Sequence, residues 1–112
     1  MNTAFLSALA EPNRMRIVEL LRDGSRPVGE IAERLQLRQP QVSKHLRVLN
    51  EAGLVTVRPV AQQRLYQLQA GPFEELDGWL ETFRSTWEKR LDSLDDYLQE
   101  AKQDPKRDAP RS

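Results

Sequence analysis

The amino-acid sequence predicts a mainly α-helical protein of the winged helix-turn-helix class, with one β-hairpin wing and a long C-terminal helix. Short segments with helical periodicity before residue 53 are followed by two segments of alternating apolar and polar residues. Large apolar residues then recur at helical spacing after residue 72. Two short helices, a tight turn and a hairpin, in this order, describe a winged helix-turn-helix. The 112 residues suit one small domain with a thin core.

Three helices are predicted before residue 37. Residues 3–9 place apolar side chains at helical spacing and form the first helix. Pro12 suits the first turn of the second helix, which Asp23–Gly24 ends. Pro27–Gly29 interrupts the pattern. A third, short helix follows, and its apolar side carries Ile31, Ala32 and Leu35.

The fourth helix opens at Arg38–Pro40 and ends at Gly53, and its two sides differ in chemistry. Successive residues turn by about 100°. The apolar side therefore carries Val42, Leu46 and Leu49. The polar side carries Ser43, Lys44 and Arg47, and His45 lies at the edge between the two sides.

A helix that is buried on one side and basic on the other can lie in the major groove of DNA, which is about 12 Å wide. Lys44 and Arg47 can reach guanine acceptors or phosphates. The alternative is an ordinary amphipathic helix with a solvated charged side. The order of helix, turn and hairpin favours DNA contact. The candidate DNA-binding residues are Gln39, Gln41, Ser43, Lys44, His45, Arg47, Arg58 and Arg64.

The wing is predicted from two alternating segments, Leu54–Arg58 and Arg64–Leu68, with a turn over Pro59–Gln63. Arg58 and Arg64 flank its tip, where arginines can touch phosphates or a narrow minor groove. The alternative is that both arginines only keep the strand ends soluble.

The last helix is expected to begin at Gly71–Pro72 and to mediate dimerisation. Its apolar residues fall within an arc of about 120°. Such a stripe is too long for a small domain to cover, so a symmetric homodimer built from the first and last helices is predicted. The alternative is that the stripe folds back onto its own domain. The expected interface residues are Phe5, Leu6, Leu9, Phe73, Leu76, Leu80, Phe83, Trp87, Leu91, Leu94 and Leu98.

Residues 1–101 are assigned to this one domain, and residues 102–112 are expected to form a disordered tail because they are charged and offer little to bury. The net charge of zero hides an asymmetry. Residues 1–70 hold 10 Lys and Arg against 6 Asp and Glu, whereas residues 71–112 hold 7 against 11. Because local potential governs contact, a basic first part is compatible with DNA binding.

The composition excludes several function classes. There is no cysteine and only one histidine, His45, so a thiol switch or a multi-histidine metal site cannot form within one chain. No nucleophile with a paired base and no phosphate-binding loop is visible, so the chain is not expected to be an enzyme. Without a secretion signal or a membrane-spanning run, a cytoplasmic protein that needs no cofactor is expected.

The chain resembles the ArsR-type winged helix-turn-helix repressors over residues 3–100. The Ser43-x-His45-Leu46 and Ala52–Val55 elements are specific in combination. The resemblance implies a homodimeric transcriptional repressor that leaves its operator when a signal arrives. It rests on the stretches Phe5–Arg14, Ile31–Leu35, Gln39–Leu46 and Glu51–Val55.

Departures from this family pattern are equally informative. Metal-sensing relatives carry a Cys-x-Cys-type motif where this chain has Val28–Ala32, and others bind zinc through histidines on the last helix, where this chain has none. The family's metal function is therefore not carried over, and the Trp-rich last helix looks like a metal-independent branch. Arg38 stands where relatives often have a capping serine, and the hairpin tip lacks the usual glycine.

The sequence therefore predicts a homodimeric, sequence-specific regulator that binds double-stranded DNA and represses transcription from an inverted-repeat operator. The alternative function is a winged helix that binds proteins and no longer binds DNA. Salt dependence separates them, because binding through phosphates weakens steeply as salt rises. The sequence does not identify a small-molecule or protein effector.

Overall fold

The computed structural model describes residues 2–103, which fold into five helices and three strands. Contacts within the chain define two units, one ending at Glu75 and the other beginning at Leu76. The elements, in chain order, are α1 (Ala4–Leu9), α2 (Pro12–Leu21), β1 (Arg26–Pro27), α3 (Val28–Leu35), α4 (Gln39–Glu51), β2 (Val55–Val60), β3 (Gln63–Leu68) and α5 (Ala70–Gln103).

The core of the first unit is apolar and draws on α1 to α4 and on the segment that enters β2. No polar or charged residue of the described chain is buried with this core. Burial of these side chains supplies most of the stabilisation of such a small unit. The buried residues are Phe5, Ala8, Ile17, Val18, Leu21, Ile31, Ala32, Val42, Leu46, Leu49, Leu54 and Val55.

Helices α3 and α4 both end in a Schellman motif, in which two backbone N–H groups bond back to the last turn. At the end of α3, Leu37 N donates to the Ala32 carbonyl at 3.0 Å, and Gln36 is left-handed with φ 55°. At the end of α4, Leu54 N donates to the Leu49 carbonyl at 2.9 Å, and Gly53 has φ 80°. The second motif therefore takes the chain from the end of α4 into β2.

The sheet has three antiparallel strands in the order β1-β3-β2, one more than the sequence predicts. The additional strand, Arg26–Pro27, pairs with β3. Pro27 is predicted from the sequence to interrupt the helices, and it lies in this strand instead. A two-residue strand has no alternation to detect, and it exists only because β3 lies beside it.

The hairpin is longer and its turn tighter than predicted. Pro59 and Val60 belong to β2 and Gln63 to β3, which leaves only Ala61–Gln62 in the turn. Pro59 is tolerated in a strand because β2 lies at the edge of the sheet. Ala61 takes the left-handed conformation, with φ 55°, that a glycine usually provides in a hairpin.

Helix α5 spans 34 residues, or about 51 Å at 1.5 Å per residue. It begins at Ala70, so Pro72 lies in its first turn, where the missing N–H has no partner to lose. Lys102 and Gln103 continue the helix, and the other residues of the predicted tail lie outside the described residues. None of the helices within residues 2–103 combines the length and apolarity needed to cross a membrane.

Candidate nucleic-acid interface

Helix α4 separates an apolar side from a polar side, as the sequence predicts. Val42, Leu46 and Leu49 are buried in the core of the first unit. Ser43, Lys44 and Arg47 are exposed on the other side. Because the apolar side of the helix faces the core, these three polar side chains are presented together at the surface.

The start of α4 gives Gln41 a structural partner. The backbone N–H of Arg38 donates to Gln41 Oε1 at 3.2 Å. This bond resembles one half of a capping box, in which the third helical residue reaches back to the residue before the helix. Gln41 therefore stabilises the start of the helix, although it is exposed like Gln39 and Pro40.

The wing brings one of its two predicted arginines beside α4. Tyr66 pairs with Val57 across the sheet, and Arg64 pairs with Pro59, so these four side chains share one face of the hairpin. A groove lies between this face and α4. Its lining residues are Ser43, Leu46, Arg47, Asn50, Val57, Arg64 and Tyr66.

The other predicted wing arginine lies on the opposite face. Arg58 pairs with Leu65 and lies between Val57 and Pro59 in the strand. Because successive side chains of a strand point to opposite faces, Arg58 points away from the face that carries Arg64. Arg58 is exposed but does not line the groove beside α4. The structure thus groups Arg64, and not Arg58, with Ser43 and Arg47.

Four polar residues near this surface are not among the residues predicted from the sequence. Asn50 and Tyr66 line the groove just described. A second groove, which also contains Ser43 and Arg64, adds Gln62 and Gln63 from the hairpin tip. The alternation already recognised in β3 could have placed Tyr66 on the face of Arg64. The tip residues could not be placed, because the length of the turn was wrong.

His45 differs from the other candidates in α4 because its side chain is only 21% exposed. Its Nδ1 lies 3.8 Å from Oε2 of Glu11, the residue before α2. The structure therefore directs His45 toward its own domain, while Lys44 and Arg47 are exposed.

The predicted interface residues fall into three groups by exposure: buried, half-buried and exposed. Phe5 is 3% exposed in the single chain and belongs to the core, whereas Leu6 and Leu9 are half-buried. Phe73 and Leu76 are also half-buried. The remaining six predicted residues are 42% to 61% exposed, namely Leu80, Phe83, Trp87, Leu91, Leu94 and Leu98. Trp79 and Tyr97, on the same helix, are exposed to a similar degree.

Known proteins with similar sequences and folds are transcriptional regulators. Residues 9–58 match the family model described as a helix-turn-helix domain. The crystal structure of an ArsR family transcriptional regulator superposes with a TM-score of 0.66 at 26% identity, covering 77% of this chain and 89% of that one. The HTH-type transcriptional regulator Rv2034 of Mycobacterium tuberculosis is 49% identical over 61 residues, which are 54% of this chain and 57% of Rv2034.

A longer match decides the family. The transcriptional repressor SdpR of Bacillus subtilis is 30% identical over 83 residues, which cover 74% of this chain and 91% of SdpR. The chain belongs to the ArsR family. This membership confirms the predicted winged helix-turn-helix class and a role in transcription regulation rather than catalysis. Because the chain spans little more than half of Rv2034, the activity of that whole protein is not transferred.

The acidic residues and the single histidine among residues 2–103 of this ArsR-family chain form no group of three that could hold a metal ion. Structural and catalytic zinc sites take three or four protein ligands. The exposed polar surface on α4 and β3 is therefore the feature of the described chain with the clearest chemistry for a partner.

Proposed function

We propose that the chain is a homodimeric repressor that binds an inverted-repeat DNA operator in the cytoplasm. One observation carries the proposal. Ser43 and Arg47 on α4 and Arg64 on β3 border the same groove, while the opposite side of α4 is buried. This arrangement presents a helix and a wing to one partner, and a duplex offers a major groove for the helix and flanking phosphates for the wing.

The side chains of α4 differ in what they can read on DNA. Arg47 can form two hydrogen bonds with guanine, Lys44 offers a point charge, and Ser43 and Gln39 can bond bases or backbone. Arg64 on the wing is suited to a phosphate or to a narrow minor groove. Arg58, on the other face of the hairpin, is expected to contribute less to binding.

The exposed stripe on α5 supports the dimer. Isolated proteins rarely expose a continuous row of large apolar side chains, whereas subunit interfaces bury them. A two-fold axis places two recognition helices about 34–36 Å apart in successive major grooves. Repression is supported by the match to SdpR, which is named a transcriptional repressor and is covered almost completely.

Selection of bound fragments from a genomic DNA pool tests the proposal and identifies the operator. The selected duplex is then titrated with wild-type protein and with Lys44→Ala/Arg47→Ala, which removes two exposed positive charges from α4. We expect the double variant to lose operator binding while keeping its fold, because neither side chain belongs to the core.

A matched control separates local contact from overall charge. Arg22→Ala/Lys89→Ala removes the same two charges from exposed positions outside α4 and the wing. We expect it to bind the operator nearly as well as the wild type. Unchanged binding by Lys44→Ala/Arg47→Ala would contradict the proposed interface. A wild-type protein with no salt-sensitive duplex binding would instead favour a winged helix that binds proteins.

A further inference from the structure

His45 lies at the edge of α4 and contacts the start of α2. Its Nδ1 is 3.8 Å from Glu11 Oε2, which is beyond a direct hydrogen bond but within the range of an ion pair. A neutral imidazole with its proton on Nδ1 presents an N–H dipole to the carboxylate, and a protonated imidazole presents a full charge. The carboxylate therefore attracts the protonated side chain and also the neutral tautomer that carries its proton on Nδ1.

Glu11 is itself held in place by α2 and its first turn. The same oxygen, Oε2, accepts a hydrogen bond of 2.8 Å from the backbone N–H of Arg14 and thereby caps α2. The Arg14 side chain continues the chain of contacts, because its Nε donates to the carbonyl oxygen of Ala8 in α1. His45 thus faces a carboxylate whose position is set by the junction of α1 and α2.

A polar contact at this edge can define the rotation of α4. Apolar burial is not directional, so the buried residues Val42, Leu46 and Leu49 alone permit small rotations of the helix. A rotation about the helix axis moves all exposed side chains together, and base recognition depends on their placement. His45 lies between Lys44 and Arg47 in sequence, so its contact with Glu11 acts on the turn of α4 that carries both side chains.

We propose that His45 is a positioning residue, which fixes the rotation of α4 through Glu11 and does not itself contact DNA. The inference rests on the proposed DNA-binding function and refines it, because it removes His45 from the surface that touches the duplex. It also gives Glu11 a role in operator affinity, although a carboxylate near DNA would ordinarily repel phosphates.

The substitution Glu11→Gln tests the inference through the sign of its effect. Glutamine keeps an amide oxygen that can cap α2, but it removes the negative charge. If Glu11 acts only through long-range repulsion, operator affinity rises in the variant. If Glu11 positions His45, we expect operator affinity to fall by about two- to fivefold, the range of a partly exposed ion pair.

Two substitutions of His45 supply the second readout. His45→Leu fills the space but cannot interact with the carboxylate, and we expect an affinity loss of about two- to fivefold. His45→Gln can still donate a hydrogen bond toward Glu11, and we expect it to restore most of the affinity. We expect the double variant His45→Leu/Glu11→Gln to bind the operator no more weakly than His45→Leu alone. Both substitutions remove the same contact between His45 and Glu11, so their effects do not add.

The salt dependence of binding, measured with thermal melting of each variant, completes the experiment. A positioning role leaves the salt slope at its wild-type value, because no phosphate contact is lost. A salt slope lowered by about one in His45→Leu, or a higher affinity in Glu11→Gln, would overturn the inference and leave the proposed function standing. Failure of the wild-type protein to bind any selected duplex would overturn both.

Discussion

Gln36 and Gly53 occupy the same position in the two helix-ending motifs, but only one of them is a glycine. Both have left-handed backbones, with φ of 55° at Gln36 and 80° at Gly53. The left-handed region costs an L-residue about 1–2 kcal/mol, whereas glycine enters it freely. Substitutions in opposite directions at the two positions therefore measure the free-energy cost of the left-handed conformation.

Gly53→Ala is expected to lower the free energy of unfolding by about 1 kcal/mol. A Cβ at this position meets no atom within 4 Å, so the loss comes from the backbone and not from a clash. Urea titration followed by circular dichroism measures the change. A variant as stable as the wild type would show that Gly53 does not hold the strained conformation in solution.

Gln36→Gly is expected to have the opposite sign and to stabilise the fold by about 0.5 kcal/mol. Relief of the left-handed strain is partly offset by the larger conformational entropy of glycine in the unfolded chain. The same titration applies, and Gln36→Ala is the matched control because it keeps the strain. Equal stability of the glycine and alanine variants would contradict this account of α3's C-terminus.

Arg64 and Arg58 offer a residue-level comparison on opposite faces of one hairpin. If Arg64 binds a phosphate beside α4, Arg64→Ala should lower the salt slope of operator binding by about 0.9. We expect a smaller change for Arg58→Ala, which removes the same charge from the other face. Fluorescence anisotropy at several salt concentrations measures both slopes, and a larger loss from Arg58→Ala would reverse the assignment.

At the scale of the elements, sequence patterning was most informative where a helix has one buried face. The boundaries of α2 and α4 follow from Pro12, Gly53 and the apolar periodicity, and the structure confirms them. Strand β1 could not be predicted, because two residues carry no period and their pairing with β3 is a tertiary contact. The predicted turn over Pro59–Gln63 is too long, because Pro59 lies in β2, an edge strand that accommodates a proline.

In the candidate interface, too, the sequence predicts what helical periodicity determines and does not predict tertiary contacts. Ser43, Lys44 and Arg47 could be placed together from the helical period alone. Their proximity to Arg64 and Tyr66 depends on the register of β2 and β3, which the sequence leaves open when the turn length is uncertain. The contact between His45 and Glu11 joins positions 34 residues apart and has no local signal.

The buried side of α4 gives the element-scale prediction. Leu46 is 1% exposed, so Leu46→Ala leaves a cavity and is expected to cost about 2–5 kcal/mol of unfolding free energy. Val48→Ala is the control, because Val48 is exposed on the same helix. Chemical denaturation compares the two variants. Similar losses of unfolding free energy in Leu46→Ala and Val48→Ala would mean that α4 does not pack against the core through the side that carries Leu46.

At the scale of the whole molecule, the apolar stripe of α5 governs assembly in the proposed function. Trp87 and Leu91 are 56% and 61% exposed on the single chain. Placing carboxylates at both positions with Trp87→Glu/Leu91→Glu should dissociate a dimer, since buried unpaired charges are strongly disfavoured. Ser85→Glu/Ser93→Glu is the matched control, because at about 100° per residue these exposed serines fall outside the stripe.

Sedimentation velocity and operator titration together test the consequence for DNA binding. We expect the stripe variant to sediment as a monomer and to bind a full inverted repeat no better than a half-site, because the dimer alone fixes the spacing of two recognition helices. The serine control should remain dimeric and keep the preference for the full repeat. A stripe variant that stays dimeric would place the interface elsewhere. A monomer that still prefers the full repeat would mean that DNA, and not α5, brings the two copies together.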